Sequence, residues 1–164
     1  MLKLCYKLHQ LSFSRLMEVY LEGNLEKADF SRGESLLRAE QDFYTYLDRV
    51  FFRTEGSVYA IWEEGGRYQS ALRLEPYRDG LLLEGLETAP DFRRLGYGRC
   101  LVTAVQQQFS EKKIYSHIAR DNRASRSLHE ALGFRKIADH SLYIDGSVND
   151  RCATYLWTKE TAIG

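Results

Sequence analysis

No stretch of this sequence approaches the roughly eighteen consecutive apolar residues that a membrane-spanning helix needs. The opening Met1-Leu2-Lys3-Leu4-Cys5-Tyr6-Lys7 lacks the apolar core and small-residue cleavage site of a signal peptide. A soluble, cytoplasmic protein is therefore expected. No excess of either charge is present: 23 basic side chains face 23 acidic ones, and the isoelectric point is near 6.9. Nucleic acids and anionic membranes are bound through a basic field, so neither is an expected partner. The three cysteines, Cys5, Cys100 and Cys152, are too few and too scattered for a disulfide framework, which predicts reduced thiols. Combined with His9, His117, His129 and His140 they give no pair at a zinc-ligand spacing, and no metal is expected. Repeats and low-complexity tracts are absent, and there are two prolines, Pro76 and Pro90, both where a turn or strand end falls.

What remains is enough for one core. A chain of 164 residues with 44% apolar side chains is expected to form a single domain over 1–164. Leu2 to Leu8 alternates with a period of two, which predicts an opening strand. Ser12 or Ser14 can cap a first helix carrying Leu16, Val19 and Tyr20, and a second is expected from Gly33 to Arg53. Val58–Trp62, Tyr68–Leu74 and Leu81–Thr88 read as a three-stranded antiparallel meander. Gly65-Gly66 and Asp79-Gly80 are expected to supply the positive φ angles of its turns. A helix over about Gly96 to Ser110 and a strand over Ile114–Ala119 complete a crossover, which makes that strand parallel to Leu81–Thr88. A helix over Asn122–Leu132, with Leu128, Ala131 and Leu132 inward, ends at Gly133 as a left-handed cap. Strands Arg135–Ile144 and Cys152–Lys159 close the chain through a turn at Asp145-Gly146. The expected class is α/β, of the α+β kind: a mixed, mostly antiparallel seven-stranded sheet flanked by about four helices.

The chemistry concentrates in two segments. In the first, Arg93-x-x-Gly96-x-Gly98 stands between a buried strand and a helix. Glycines there let the main chain approach a ligand closely, and the helix start offers unpaired N–H groups backed by a positive dipole end. The pattern suits a pyrophosphate. It is not a Walker loop, since no Gly-Lys-Ser/Thr follows, nor a dinucleotide fingerprint. In the second segment, Asn122, Ser125 and His129 share one helix face.

Arg-x-x-Gly-x-Gly after a strand ending in x-x-Pro, followed by Asn-x-x-Ser-x-x-Leu-His-x-x-Leu-Gly-Phe, resembles the two acyl-CoA motifs of the GNAT superfamily of N-acetyltransferases. The order of elements fits that fold over essentially the whole chain. The resemblance implies acetyl-CoA as co-substrate and a primary amine, on a small molecule or a protein, as acceptor. It implies that Arg93, Arg94, Leu95, Gly96, Tyr97 and Gly98 hold the CoA pyrophosphate through backbone N–H groups, with Arg99 as a further phosphate partner. The main chain at Leu86 and Thr88 would pair with the pantetheine arm, and Asn122 and Ser125 would make polar contacts to pantetheine or phosphates. His129 stands where many members carry a tyrosine that protonates the leaving thiolate. The acid is therefore His129 or, as a second candidate, Tyr143.

Glu84 and Glu87 lie in a strand that is apolar on both faces, so each needs either a partner or a role as general base. Parity does not rank them, because a bulge reverses the face of every later residue and superfamily members commonly have one here. Gly85 leaves room for a substrate beside Glu84, which favours that residue. An ion pair with an arginine is the alternative for both. Asp42 and the rings of Phe43, Tyr44, Tyr46, Phe51, Phe52, Tyr59 and Trp62 are candidates for the acceptor pocket, with core packing as their other explanation. Cys100 is expected to be a small buried helix residue. An acyl-CoA-binding sensor without turnover and a nucleotide binder on a similar crossover are the competing functional readings. Edge strands at both ends of the sheet offer a route to a homodimer.

Overall fold

The computed structural model describes residues 1–28 and 35–161, so Gly33, where the second helix was expected to begin, lies outside the described residues. Five α-helices occur among them: α1 (Phe13–Val19), α2 (Leu21–Lys27), α3 (Leu36–Arg49), α4 (Tyr97–Gln108) and α5 (Arg123–Ala131). The strands are β1 (Leu2–Cys5), β2 (Val58–Glu64), β3 (Arg67–Tyr77), β4 (Gly80–Thr88), β5 (Lys113–Ala119), β6 (Arg135–Ala138), β7 (Ser141–Leu142), β8 (Val148–Asn149) and β9 (Cys152–Trp157). Seven form one sheet in the order β1-β2-β3-β4-β5-β9-β6, and β7 pairs with β8 separately. The mixed seven-stranded sheet is as expected, with one more helix than anticipated. No helix among the described residues is long and apolar enough to cross a membrane.

The residues form two compact units, Met1–Arg73 with Gly85–Leu101, and Leu74–Glu84 with Val102–Gly164. In the first unit, β1 runs antiparallel to β2 with Leu2 opposite Trp62 and Cys5 opposite Tyr59. Leu16, Val19, Leu47, Phe51, Tyr59, Ile61 and Tyr68 form its fully enclosed core. The first helix is as expected, with Ser12 at its N-cap. It breaks at Tyr20, which leaves helical geometry at φ −95°, ψ 12°. A separate α2 follows, which the periodicity did not predict. Ser35 starts α3 by accepting the Arg38 N–H at 3.2 Å, the expected action of an N-cap serine.

In the second unit the crossover is parallel as predicted, with Gly80 to Leu83 opposite Lys113 to Ser116. β5 then pairs antiparallel with β9, from Ile114–Trp157 to Ala119–Cys152. The turn before β4 differs from expectation: the positive φ falls on Arg78, at 49°, and not on Gly80. Gly80 has another reason to be glycine. A Cβ there would sit 2.2 Å from the Lys113 carbonyl oxygen, so a side chain would force the parallel pair apart. The predicted closing hairpin is also interrupted. β6 ends at Ala138 after a bulge against β9, and the His140 carbonyl accepts the Thr154 hydroxyl at 2.7 Å in place of a ladder bond. Ser141 and Leu142 pair instead with Asn149 and Val148, across a turn in which Gly146 takes φ 85°.

Helix α5 ends at Gly133, whose φ of 87° is that of the expected left-handed cap. Its inward face differs from the apolar reading: Ala131 is exposed, and His129 is 2% exposed. Cys100 is another correction, because it is exposed where a buried helix residue was expected. It stands in the first turn of α4, whose buried side falls on Leu101, Val102 and Val105.

Candidate active site

The glycine-rich segment belongs to the first unit. Pro90–Phe92 forms one 3-10 turn, closed by the Phe92 N–H to the Ala89 carbonyl at 2.9 Å and the Arg93 N–H to Pro90 at 3.4 Å. Arg94 then enters the left-handed region at φ 62° and Gly96 at 85°, so the chain turns sharply into α4. The first helical bond is Cys100 N–H to the Gly96 carbonyl at 3.0 Å. The amides of Tyr97, Gly98 and Arg99 therefore precede the i→i−4 ladder and point out of the helix start. A Cβ built on Gly96 meets nothing within 4 Å. Arg94, Leu95 and Arg99 are exposed around this start. Arg93 is committed elsewhere: its side chain donates to the Thr88 carbonyl at 3.3 Å and pairs with Glu22. Its amide and guanidinium thus brace the loop, and the donors of the segment begin after it. The Tyr97 carbonyl accepts from Ser70 Oγ at 3.2 Å, which ties the helix start to β3.

Upstream of this loop, Gly85 within β4 takes φ 60°, the left-handed geometry that a glycine bulge uses. The Tyr20 hydroxyl donates to the Gly85 carbonyl at 2.5 Å and itself accepts from Tyr59 at 2.8 Å. Burial pushes both phenols up, Tyr59 to about 12 and Tyr20 well above its ordinary value, so both stay protonated and the chain of donors holds. The break in α1–α2 at Tyr20 and Gly85 in β4 are thus two ends of one contact. Glu87, three residues after Glu84, lies half-buried against α2, where its Oε1 is 2.8 Å from the position a Cβ on Gly23 would take. Its charge reaches Tyr20, as does that of Arg73.

The same unit has a cavity of about 370 Å³ lined by Asn24, Arg38, Asp42, Phe43, Tyr46 and Arg73 among others. The Arg73 guanidinium lies 5.9 Å from the Phe43 ring centroid and 5.5 Å from that of Tyr46. Of the rings read as pocket candidates, Phe43 and Tyr46 are brought here with Asp42. Phe51 and Tyr59 are fully enclosed core. Tyr44 and Phe52 border a different hollow, and the indole N–H of Trp62 donates to Glu64.

The second unit holds the other candidates. Asn122 caps α5 by accepting the Ser125 N–H at 3.0 Å. His129 Nδ1 is 2.8 Å from the Ser125 carbonyl, which can accept but not donate, so Nδ1 carries the proton. Nε2, at 3.2 Å from Ser116 Oγ, is then the acceptor. Burial holds the imidazole below its usual range despite that carbonyl contact, so it is neutral at neutral pH. Its proton is spent within the helix, and its ring anchors α5 to β5. Glu84 is half-buried at the end of the β4–β5 pairing, and its charge acts on His117 of β5. The His117 ring lies edge-on to Tyr143 at 5.2 Å and to Tyr77 at 5.5 Å. The Tyr143 hydroxyl accepts from Asn149 Nδ2 at 2.9 Å. The parallel register ends at Leu83 and Ser116, the residues just before Glu84 and His117. Among the described residues, no group of three or more His, Cys, Asp or Glu side chains could hold a metal ion.

Seven strands in this order, a left-handed Gly85 within β4 and a glycine-turned start to the helix that connects the parallel β4 and β5 define a GNAT-type fold. Residues 70–144 match the FR47-like protein family. No curated protein matches the sequence. Among solved structures the chain is similar to the ribosomal-protein-S18-alanine N-acetyltransferase of Escherichia coli (16% identity, 95% of this chain and 91% of that one, TM-score 0.59). It is also similar to an aminoglycoside 6'-acetyltransferase of type Ii (12%, 97% and 97%, 0.66). A third is the spermidine/spermine N-acetyltransferase of Vibrio cholerae in mutant forms (15%, 99% and 95%, 0.60). The chain has the GNAT fold.

Proposed function

We propose that this protein is an acetyl-CoA-dependent N-acetyltransferase of a primary amine, working by direct attack. The observation that carries the reading is the start of α4: amides of Tyr97, Gly98 and Arg99 ahead of the helical ladder, with open space at Gly96. Such a group of donors at the positive end of a helix dipole fits a diphosphate. Arg94, Leu95 and Gly96 turn the main chain toward it, and exposed Arg94 and Arg99 add positive charge. The main chain at Leu86 and Thr88 is assigned to the pantetheine arm, with polar help from Asn122 and Ser125. Acetyl-CoA supplies the activated acetyl group.

The chain's own residues then have two tasks. A protonated amine must lose a proton before it attacks, and Glu84, half-buried beside Gly85, is assigned as the base. Glu87, set against α2 and Tyr20, is assigned to the acceptor side. The thiolate needs little help to leave, since an ordinary thiol has a pKa of about 8.5. His129 is neutral with its proton given to Ser125, so its role is to position α5. Tyr143, whose hydroxyl accepts from Asn149 and keeps a proton to give, is the acid candidate that the hydrogen bonding favours.

The test combines binding and turnover. CoA and acetyl-CoA should each raise the melting temperature, and thiol release should appear with at least one member of an amine and peptide panel. No shift at millimolar CoA refutes the reading. A shift without thiol release for any acceptor identifies a sensor, and a shift with ATP alone identifies a nucleotide binder.

A further inference from the structure

We propose that the Arg93 side chain bars the outer edge of β4, and that the pantetheine arm of CoA displaces it from the Thr88 carbonyl and so releases Glu22 of α2. The proposal rests on the acetyltransferase reading and concerns how the same site is opened. It starts from a strand edge. β4 pairs with β5 from Gly80 to Leu83, and beyond Leu83 that edge of β4 has no strand partner among the described residues. The Ala89 N–H bonds to the Gln69 carbonyl at 2.8 Å, so Ala89 faces β3. Peptide groups alternate in direction along an antiparallel ladder, so Thr88 turns its own N–H and C=O to the opposite edge. Such an edge is a template for an extended chain, which is the use assigned above to Leu86 and Thr88.

Arg93 occupies part of that template. Its Nε donates to the Thr88 carbonyl at 3.3 Å, and Nη1 of the same guanidinium pairs with the Glu22 carboxylate. Paired strands run about 4.8 Å apart, so a donor on the outward carbonyl stands in the row where an added strand would lie. The arm and the guanidinium therefore compete for one strip of β4.

Glu22 makes the bar part of a larger contact. It stands in the first turn of α2, between Tyr20, whose hydroxyl donates to the Gly85 carbonyl, and Gly23, against which Glu87 is set. Tyr20 is buried, and its contact is the fixed one. The side chains of Arg93 and Glu22 are 44% and 47% exposed, and an ion pair in contact with water is weak and readily exchanged. The bar thus lowers affinity yet yields to an arm that makes several main-chain bonds. Once displaced, the guanidinium remains next to the turn that carries the diphosphate donors, where the cofactor attracts its charge.

Because Arg93 has this second use, the test alters Glu22, which is assigned no contact with the cofactor. CoA and 3′-phospho-ADP, its nucleotide half without the arm, are titrated calorimetrically into the full-length wild type and Glu22→Ala. With the ion pair gone a larger fraction of molecules has the edge open, so CoA should bind about two- to fivefold tighter. 3′-Phospho-ADP does not reach Thr88 and should bind both proteins equally. Unchanged or weaker CoA binding in Glu22→Ala overturns the bar, and equal tightening of both ligands overturns it as a general charge effect. The second readout is the Arg93 Nε–H signal by NMR. It should be protected from solvent exchange in the ligand-free wild type and lose that protection with CoA but not with 3′-phospho-ADP. Protection that survives saturation with CoA overturns the displacement. If CoA does not bind the wild type, the acetyltransferase reading falls and the bar with it, whereas binding that Glu22→Ala leaves unchanged sinks the bar alone.

Discussion

Replacing Gly96 by glutamate separates the stability of the α4 start from its proposed use. Gly96 is at φ 85° with nothing within 4 Å of a built Cβ. The variant should therefore suffer the left-handed backbone strain of a non-glycine residue, about 1–2 kcal/mol, without a steric clash. For a chain of this size each kcal/mol moves the melting temperature by about 2–4 °C, so the ligand-free variant should melt roughly 2–8 °C lower. The ligand effect is larger and of another kind. CoA at about one hundred times its dissociation constant stabilises the native state by about 2.7 kcal/mol, or roughly 5–11 °C in the wild type. In Gly96→Glu a carboxylate stands where the diphosphate would go, so this increment should vanish. Gly146→Glu is the matched control, because Gly146 has the same φ of 85° and equally open surroundings in the β7–β8 turn. It should lower the ligand-free melting point similarly and keep the full CoA increment. Thermal denaturation with and without CoA reads both quantities. An undiminished increment in Gly96→Glu would refute the diphosphate assignment, and loss of the increment in Gly146→Glu as well would show that strain alone explains it.

Gly80→Ala should destabilise the protein by about 2–4 kcal/mol, through overpacking against the Lys113 carbonyl and weakening of the parallel ladder; a melting point within 2 °C or so of wild type would contradict the close approach. His129→Leu keeps the volume but leaves the Ser116 hydroxyl without its acceptor, at a cost of about 1–3 kcal/mol, while thiol release per folded molecule should stay within about threefold. A tenfold loss of rate in a well-folded His129→Leu would restore that residue as the acid. Burial lowers the titration of His129 and His117, so the stability they lend is complete above the ordinary imidazole value of about 6.5 and is lost as pH falls through their lower folded values. Denaturant midpoints should accordingly decline below about pH 6.5, and His129→Leu should flatten that decline. Asp79, held down to about 2 by the Lys113 ammonium and then by the Tyr115 hydroxyl, should titrate near that value by NMR in the native protein. Lys113→Met should return it toward the ordinary carboxylate range.

Local rules that need only a few neighbouring residues carried most of the fold. Ser35 and Asn122 cap α3 and α5 as serine and asparagine caps do, Gly133 closes α5, and the strand–helix–strand crossover fixed the parallel pair. The motif Arg-x-x-Gly-x-Gly marked the helix start because its glycines answer to backbone geometry, which the sequence encodes directly. Glycine identity did not reveal its cause, however. Gly80 and Gly85 look alike in sequence, yet one serves a strand contact and the other a left-handed turn of the backbone.

What needed the tertiary structure was every assignment that depends on partners far along the chain. The break at Tyr20 is tied to the Gly85 carbonyl 65 residues away, and no periodicity within α1 encodes it. The motif position of His129 suggested an acid, whereas Ser116 and the Ser125 carbonyl make it a neutral anchor. Glu84 and Glu87 are indistinguishable as letters in an apolar strand. Their surroundings separate them, with the charge of one acting on His117 and the other set against Tyr20 and Gly23. Propensity and capping are local energies that a sequence states outright, while the protonation and role of a side chain depend on the dielectric and the partners that folding assembles around it.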